Sequence, residues 1–457
     1  MVKPFRVIHS FPIGLLLLIF TVFTGHSIQA QSPNIAEHPQ DVTPLDVNDS
    51  IPDVTVQRLD GRKQSLKKLV TGQKSALIVF RGGWCPYCTR HLAGLQTVAA
   101  KLKENGYQIL ALTPDRLAPL KETGKKDKQA YTLLLDPSFK AVVSLGLAFT
   151  VGQKTIKRYR KFNIPLYAPP GTETKVLPVP AVYLISETGT IQFAHWQSDY
   201  KHRLDPDEIL LAAQGKLMTK TITYTHNEQT MKGTIAWDPS RKEKRPGIVV
   251  IHEWWGLNAY AREQTRQLAA MGYVALAADM YGNGTVATDR EEAAGLAKKL
   301  RSDRKLMRSR ARKALDVLKD HDQVDKTQTA AIGFCFGGGC VLELARSGAD
   351  LSGVVSFHGN LDTPEPDKTQ KPRAAILVCH GAADPHVPFA DIQRFTKEMN
   401  RCNADWTMIM YGNAVHAFTN PDAGNDPSTG AAYNKTTAQR AWSDMKEFFD
   451  RIFLVKE

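Results

Sequence analysis

The sequence has few cysteines and no long apolar segment. Six of its 457 residues are cysteine, and only Cys85 and Cys88 form a C-x-x-C pair. Since a zinc framework of this type needs two such pairs, we expect neither a metal nor a cofactor. The apolar run at 13–23 has about eleven residues, whereas a membrane-spanning helix needs roughly twenty. The sequence therefore does not predict a membrane span.

The first 30 residues have the composition of an export signal. Lys3 and Arg6 precede the apolar run, and the small residue Ala30 precedes a polar stretch. A basic start, a short apolar segment and a small residue at its end are typical of a cleavable secretory signal. We predict a signal peptide at 1–30 and a periplasmic or secreted protein without a stable membrane anchor after cleavage. An uncleaved anchor is the alternative.

The chain is basic, with a formal net charge of +13 and its densest positive run at Lys298–Lys313. Such a run can bind nucleic acid or an anionic surface. Apolar residues recur through this region at helical spacing, at Met307, Ala311, Ala314 and Leu318. This pattern indicates an amphipathic helix whose charges face solvent, so we expect no nucleic-acid partner.

The order of apolar and polar segments predicts two different α/β domains. The polar stretch 31–46 contains three prolines and is predicted to be a linker. Strand-like and helix-like segments alternate over 47–213 and again over 214–457, with a long loop insertion predicted at 151–180. Apolar strands that alternate with helices favour mostly parallel sheets covered on both faces. No internal repeat relates the two halves.

The C-x-x-C pair lies where a predicted strand meets a predicted helix. A cysteine at a helix N-terminus is close to free backbone N–H groups, which favour the thiolate. Cys85 and Cys88 are near enough to form a disulfide, so that one can attack and the other resolve. A cis-proline at Pro180 is plausible beside such a pair. A structural disulfide without turnover remains the alternative.

Residues 47–213 resemble the thioredoxin-like superfamily, in its alkyl hydroperoxide reductase and thiol-specific antioxidant branch. The similarity is carried by DSIPDVTVQRLDGRKQSLKKL, FRGGWCPYC, LLLDPSFKAV and VPAVYLISETGTIQFAH. The resemblance implies a thioredoxin fold in which Cys85 and Cys88 are the redox pair for a thiol or disulfide partner. The P-x-x-x-T/S-x-x-C frame of typical peroxiredoxins is absent, so peroxide reduction and disulfide exchange both remain open.

The segment GFCFGGG at 333–339 has the outline of a nucleophile elbow, G-x-S-x-G, with Cys335 in place of the serine. Asp384 and His416 follow later strand-like runs, and the order nucleophile, acid, histidine is that of α/β-hydrolases. In such a triad His416 takes the proton from Cys335 and later activates water, while Asp384 orients the imidazole. By sequence distance alone, His380 and His386 are equally near Asp384.

Residues 219–457 resemble the dienelactone hydrolase family. The matching segments are VVIHEWWGLNAYAREQTRQLAAMGYVALAADMYG, GFCFGGG, HGAADPHVP and GNAVHAFTNP. The resemblance implies an α/β-hydrolase fold with Cys335 as nucleophile, His416 as base and Asp384 as orienting acid. It further implies oxyanion donors and a carboxylate that contacts the resting thiol, namely the backbone N–H groups of Phe336 and Trp254 and the side chain of Glu253. The family's substrate-binding arginine, four residues after the histidine, is Asn420 here.

These patterns together predict an exported two-domain protein. Its C-terminal domain would cleave a small-molecule ester or lactone through a thioester on Cys335, and its N-terminal domain would carry out thiol redox chemistry. A first alternative is a thiol-disulfide oxidoreductase or peroxiredoxin-like antioxidant whose hydrolase domain is inactive or serves for binding. A second is a binding protein in which neither site turns over.

Overall fold

The computed structural model describes residues 35–116 and 130–453. The predicted signal peptide at 1–30 lies outside the described residues. Within these two ranges, no helix is both long enough and apolar enough to pass through a bilayer.

The N-terminal domain has nine strands and five helices among its described residues. The strands are β1 Thr55–Arg58, β2 Lys63–Ser65, β3 Ser75–Val79, β4 Gln108–Thr113, β5 Thr132–Leu135, β6 Ala148–Thr150, β7 Val176–Pro178, β8 Ala181–Ile185 and β9 Ile191–Trp196. The helices are α1 Leu66–Val70, α2 Pro86–Glu104, α3 Lys140–Ser144, α4 Gln153–Lys161 and α5 Pro206–Ala213. Seven strands form one sheet in the order β2-β1-β5-β4-β3-β8-β9, and β6 pairs with β7.

The central strand β3 is buried on both faces of this sheet. Ala76 and Ile78 pack with α2 on one face, while Leu77 and Val79 pack into a second core on the other. Alternate residues of a strand point to opposite faces, so a continuous apolar run is what a doubly covered strand requires. The chain passes from β3 into α2, which places the C-x-x-C motif at the N-terminus of that helix.

Two segments of this domain differ from the sequence prediction. The stretch 151–180, predicted as loops, contains the helix α4 and the strand β7. Tyr159 is the one buried residue of α4, so its apolar periodicity is too weak to indicate a helix. The described part of the predicted linker, from Ile35 onward, packs against the domain. There the Ala36 N–H donates to the carbonyl of Ala148 at 3.0 Å.

The C-terminal domain is built on an eight-stranded sheet. Its strands are β10 Met218–His226, β11 Gln229–Trp237, β12 Arg245–Ile251, β13 Val274–Ala278, β14 Val324–Phe334, β15 Gly353–Phe357, β16 Ala375–Gly381 and β17 Trp406–Tyr411. Its helices are α6 Ala259–Ala270, α7 Arg290–Ser302, α8 Arg304–Lys319, α9 Phe336–Arg346, α10 Phe389–Arg401 and α11 Lys435–Phe453. Short 3₁₀ turns occur at Pro366–Lys368, Pro421–Ala423 and Pro427–Thr429.

The strand order is β10-β11-β13-β12-β14-β15-β16-β17, and all pairings from β13 to β17 are parallel. The β10–β11 hairpin adds an antiparallel edge that the sequence did not predict. Because the carboxyl ends of parallel strands meet at one edge, the loops after β12, β14, β16 and β17 come together there. The predicted two-domain α/β architecture is confirmed.

The apolar face predicted around Met307 is also found. Helix α8 buries Met307, Ala311, Ala314 and Leu318 in the core. Of its charged residues, Lys305 and Asp316 are exposed, whereas Arg308 and Arg310 are half-buried and reach the Glu343 carboxylate and the carbonyl of Met280. The predicted solvent-facing side is therefore only partly exposed.

The two domains are in direct contact. Helix α5 ends at Ala213 and β10 begins at Met218, so the connection is short. Ala236 and Ala269 of the C-terminal domain pack into the same apolar cluster as α2. Arg266 also lies 3.2 Å from the carboxylate of Glu208 across this contact.

Candidate active sites

Cys335 lies at a sharp bend between β14 and α9. Its backbone has φ +52° and ψ −115°, a conformation that non-glycine residues seldom adopt. A Cβ on Gly333 would lie 2.0 Å from the carbonyl oxygen of Gly337, and one on Gly337 would lie 2.2 Å from that of Ile251. Both flanking positions therefore need glycine, which is the physical basis of the G-x-C-x-G spacing.

The imidazole of His416 is held between Asp384 and Cys335. Its Nδ1 lies 2.8 Å from Oδ2 of Asp384, so the remaining ring nitrogen serves the hydrogen bond with Cys335. Burial alone would lower the pKa of His416, but attraction by the Cys335 sulfur and hydrogen bonds to Asp384 and Cys335 raise it to about 10. The site thus favours an imidazolium beside sulfur.

The other two histidines near Asp384 in sequence have different environments. The backbone N–H of His386, not its ring, donates to Asp384 at 2.8 Å. The ring of His386 packs edge-on against that of His416, with centroids 5.2 Å apart. His380 ends up within β16, where burial lowers the pKa of its imidazole. In the described ranges, His416 is the histidine whose ring pairs with Asp384.

The two predicted oxyanion donors belong to neighbouring loops. Phe336 is the first residue of α9, where a backbone N–H has no partner within its own helix. Trp254 follows β12, and its carbonyl accepts a hydrogen bond from the Tyr281 hydroxyl at 2.8 Å. In the described part of the chain, neither of these two amide N–H groups donates to a backbone carbonyl in a turn, loop or helix cap.

Glu253 is buried and is held by Asn420. The Asn420 side-chain amide donates to Oε2 of Glu253 at 2.6 Å. Burial raises the pKa of Glu253 to about 7, while this hydrogen bond and the charge of His416 act to lower it. The resemblance implied that Glu253 contacts the resting thiol. Among the described residues its hydrogen bond goes to Asn420 instead, the residue at the family's arginine position.

His358 is a buried site residue that sequence reasoning missed, since its segment was interpreted only as a strand end. Its Nδ1 accepts the backbone N–H of Cys335 at 3.2 Å, so Nε2 carries the proton and donates to Thr419 at 2.7 Å. Its ring packs edge-on against His416 with centroids 5.3 Å apart. Burial and then the charge of His416 hold the pKa of His358 well below its usual range. The residue therefore supports the elbow as a neutral imidazole.

The C-x-x-C pair forms a second candidate site, at the start of α2. Cys85 is the N-cap residue, Cys88 lies in the first turn, and both are buried free thiols. A hydrogen bond from Cys85 is the main reason that the pKa of Cys88 is lowered to about 6. Burial acts to raise this pKa, and attraction to Arg203 acts to lower it further. The same hydrogen bond, together with burial, raises the pKa of Cys85. The pair therefore ionises first at Cys88.

Two arginines near these thiols were also missed from the sequence. Nη2 of Arg203 lies 3.5 Å from the sulfur of Cys88. Arg81 is buried with its guanidinium 4.0 Å from the ring centre of Tyr200 and hydrogen-bonded to the Tyr159 hydroxyl at 2.7 Å. Its Nε and Nη1 have no partner within the described ranges. Arg81 is part of the FRGGWCPYC segment itself, whereas Arg203 is brought to the motif only by the fold.

The proline before β8 does not have the predicted isomer. No peptide bond among the described residues is cis, so the cis-proline prediction for Pro180 is wrong. Pro180 nevertheless lines a small cavity with His91 and Arg203, close to the thiol pair.

Comparisons with known proteins agree with both halves of this architecture. The family model described as "Dienelactone hydrolase family" matches residues 231–453, and that described as "AhpC/TSA family" matches residues 47–194. The solved structure called m3DLH is 42% identical over 52% of this chain and all of that chain, with a TM-score of 0.50. A dienelactone hydrolase-like promiscuous phosphotriesterase from metagenomic libraries is 39% identical over 52% of this chain and all of its own, with a TM-score of 0.49. Residues 231–453 form a dienelactone hydrolase domain.

The N-terminal half carries the second family assignment. Its AhpC/TSA match makes it a thioredoxin-like domain fused to the dienelactone hydrolase domain. An uncharacterised protein of Caenorhabditis elegans is 36% identical over 149 residues, which cover 32% of this chain and 94% of that protein.

Two arginines of the dienelactone hydrolase domain lie where α7 ends and α8 begins. Arg301 stacks over the ring of Phe336 at 5.9 Å and donates to the side chain of Asn360 at 2.6 Å. Arg304 instead pairs with Asp362 at 2.7 Å. Of the two, Arg301 is the one that contacts the residue next to Cys335.

A basic cavity of about 460 Å³ lies along α8, away from the elbow. It is lined by Arg304, Lys305, Arg308, Ser309, Arg312, Ser347, Thr363, Pro364 and Glu365. Carboxylates neutralise part of its charge, since Arg304 pairs with Asp362 and Arg308 lies 2.7 Å from buried Glu343. None of the residues around Cys335 lines this cavity.

One group of side chains has the spacing of metal ligands. Within the described ranges, Asp199, His202 and Asp422 bring three ligand atoms within 4.8 Å of one another. Nε2 of His202 is, however, already 2.5 Å from Oδ2 of Asp422. A direct hydrogen bond therefore joins His202 and Asp422, and Asp199 lies 3.9 Å from the same ring.

Proposed function

We propose that the dienelactone hydrolase domain is a cysteine hydrolase that cleaves ester or lactone bonds. The observation that supports this proposal is the position of the His416 imidazole, hydrogen-bonded to Asp384 through one nitrogen and to Cys335 through the other. A thiol nucleophile needs a base within hydrogen-bond reach and an acid that orients the base. The contacts of His416 with Asp384 and Cys335 support a triad of this kind.

In the proposed mechanism, the Cys335 thiolate attacks the substrate carbonyl carbon. The resulting oxyanion accepts hydrogen bonds from the backbone N–H groups of Phe336 and Trp254. The His416 imidazolium then gives its proton to the departing alkoxide as the C–O bond breaks, which leaves a thioester and a neutral imidazole. His416 next takes a proton from water, and the hydroxide displaces the acid from Cys335.

The substrate is proposed to be a small ester or lactone. Position 420 offers a neutral amide, and that amide is already bonded to Glu253. Recognition at this position therefore does not depend on a cation. Arg301 lies over the ring of Phe336, the residue next to Cys335.

For the thioredoxin-like domain we propose thiol redox chemistry at Cys85 and Cys88. The supporting observation is the lowered pKa of Cys88, about 6, beside the guanidinium of Arg203. A thiolate at neutral pH can attack a disulfide or a peroxide, and the neighbouring thiol can then resolve the product. We further propose that the protein works in the periplasm or outside the cell.

An active-site test uses hydrolysis of p-nitrophenyl butyrate. Cys335→Ala is expected to lower kcat/KM by at least about 1,000-fold, because removal of a nucleophile removes the covalent route. Cys402→Ala and Cys85→Ala serve as matched controls and should retain activity. A thioester adduct that maps to Cys335 by mass spectrometry would support the mechanism, whereas full activity in Cys335→Ala would contradict it.

The redox proposal has a separate readout. Reduction of insulin disulfides or of hydrogen peroxide should be lost in Cys85→Ala and in Cys88→Ala but kept in Cys335→Ala. If the redox assay succeeds and ester hydrolysis fails, the alternative of an antioxidant protein with an inactive hydrolase domain is favoured. Absence of both activities in folded protein would favour a binding role.

A further inference from the structure

The segment between β9 and α5 reaches from the thioredoxin-like domain to the dienelactone hydrolase domain. Its His202 lies 2.5 Å from Oδ2 of Asp422, and two more carboxylates are nearby, at 3.9 Å in Asp199 and 3.7 Å in Glu263. Burial acts to lower the pKa of His202, but its hydrogen bonds and these charges raise it to about 10. The imidazole therefore carries a positive charge at neutral pH.

Asp422 is linked to the proposed catalytic site through hydrogen bonds of Asn420. Its backbone N–H donates to Oδ1 of Asn420 at 2.9 Å, at the start of the 3₁₀ turn Pro421–Ala423. The amide NH₂ of Asn420 then donates to Glu253 at 2.6 Å. Because the oxygen of this amide is occupied by Asp422, its NH₂ group is the end that can face Glu253.

We propose that His202 is a positioning residue for the hydrolase site, supplied by the thioredoxin-like domain. It anchors Asp422, and with it the turn that directs the amide of Asn420 toward Glu253. This inference rests on the function proposed for Cys335. Without the His202 cation, the carboxylate of Asp422 loses its partner. The turn Pro421–Ala423 is then no longer held in place at Asp422.

Arg203, the residue after His202, allows a comparison within the same segment. Arg203 contacts Cys88 at 3.5 Å, so one short segment contacts both candidate sites through adjacent residues. If the roles are separate, loss of His202 affects ester hydrolysis and loss of Arg203 affects thiol reactivity. General damage to the segment would affect both properties in both variants.

The test is a double-mutant cycle on p-nitrophenyl butyrate hydrolysis by the full chain, in EDTA so that no metal ion contributes. His202→Ala and Asp422→Asn are each expected to lower kcat/KM by roughly 3- to 20-fold, and the double variant should be no worse than the worse single one. His202→Lys should restore most of the activity, since lysine returns a cation to Asp422. Lys201→Ala, an exposed neighbour, should behave like wild type.

A pH profile adds a readout that simple destabilisation would not produce. Loss of the hydrogen bond from Asn420 removes an influence that lowers the pKa of Glu253. The inflection in kcat/KM that is absent in Glu253→Gln should therefore move to higher pH in His202→Ala, by about 0.5 to 1 unit. Arg203→Gln should leave both the rate and the inflection unchanged while slowing alkylation of the thiols.

Three results would overturn the inference: unchanged kcat/KM in both single variants, additive losses in the double variant, or no recovery in His202→Lys. If His202→Ala does not fold, Asp422→Asn and His202→Lys still decide the question. Cys335→Ala separates the two proposals. If that variant retains activity, the proposed function fails. If it is inactive while the His202 variants are unaffected, only the positioning role fails.

Discussion

The side-chain amide of Asn420 donates to the Glu253 carboxylate at 2.6 Å, although the two residues are 167 positions apart in the chain. One follows β12 and the other follows β17, so the parallel sheet brings their loops to the same edge. A neutral donor thus holds a buried acid next to the proposed triad. Several measurable properties follow from this and from the surrounding contacts.

Glu253 should make stability depend on pH. Its folded pKa of about 7 lies above its unfolded value near 4.5, so its contribution to stability is complete below pH 4.5 and is lost as pH rises through 7. Relative to Glu253→Gln, the wild-type free energy of unfolding should therefore fall by roughly 3 kcal/mol between pH 4.5 and 8. Urea unfolding at several pH values measures this difference. Glu447→Gln, exposed in α11, is the control, and a wild type that runs parallel to Glu253→Gln would contradict the prediction.

Gly337→Ala should damage the elbow. The added Cβ would lie 2.2 Å from the carbonyl oxygen of Ile251 and 2.6 Å from that of His252, and backbone atoms cannot move aside. We expect a loss of about 2–4 kcal/mol in unfolding free energy, together with loss of ester hydrolysis. Gly295→Ala in α7 is the matched control, because open space surrounds it and alanine favours helix by about 0.5–1 kcal/mol. Equal stability of the two variants would count against this description of the elbow.

The fold was largely predictable, because buried strands such as β3 and β13 are continuous apolar runs and the elbow needs its glycines. Helix α4 was not, since it buries little more than Tyr159 and owes its stability to the surrounding domain. Contacts such as that of Asn420 with Glu253, or of Arg203 with Cys88, could not be predicted from the sequence either. They join polar side chains from distant loops, and no local pattern indicates which of many polar residues will meet.

Arg346 should be critical for stability although it is remote from the proposed chemistry. It is buried and donates two hydrogen bonds to Glu398, each 2.8 Å, and one to Glu343 at 3.1 Å. Arg346→Met would leave the buried Glu398 carboxylate without a cation and Glu343 with Arg308 alone, at a cost of about 3–5 kcal/mol. Arg394→Ala removes an exposed pair with Asp391 and should cost less than about 1 kcal/mol. Urea unfolding at pH 7 compares the two variants. A loss below 1 kcal/mol in Arg346→Met would be inconsistent with this network.

Arg203 should tune the thiols of the C-x-x-C pair. Its guanidinium lies 3.5 Å from the sulfur of Cys88, and its charge acts to lower the pKa of that thiol. In Arg203→Gln we expect iodoacetamide to alkylate the reduced pair more slowly at pH 7, by about 3- to 10-fold, because less Cys88 thiolate is present. Arg90→Gln, exposed on α2, should react like wild type. Stopped-time mass spectrometry gives the rates, and equal rates in all three proteins would exclude an electrostatic role for Arg203.

The contact between His202 and Asp422 also bears on how this chain could be divided. A fragment that starts at residue 214 would keep every proposed catalytic group of the hydrolase, yet Asp422 would face water with no imidazolium beside it. Ala236 and Ala269 would lose the apolar surface that now covers them. The two domains are therefore not interchangeable modules. Fusing either domain to a different partner domain would require a redesigned interface at these contacts.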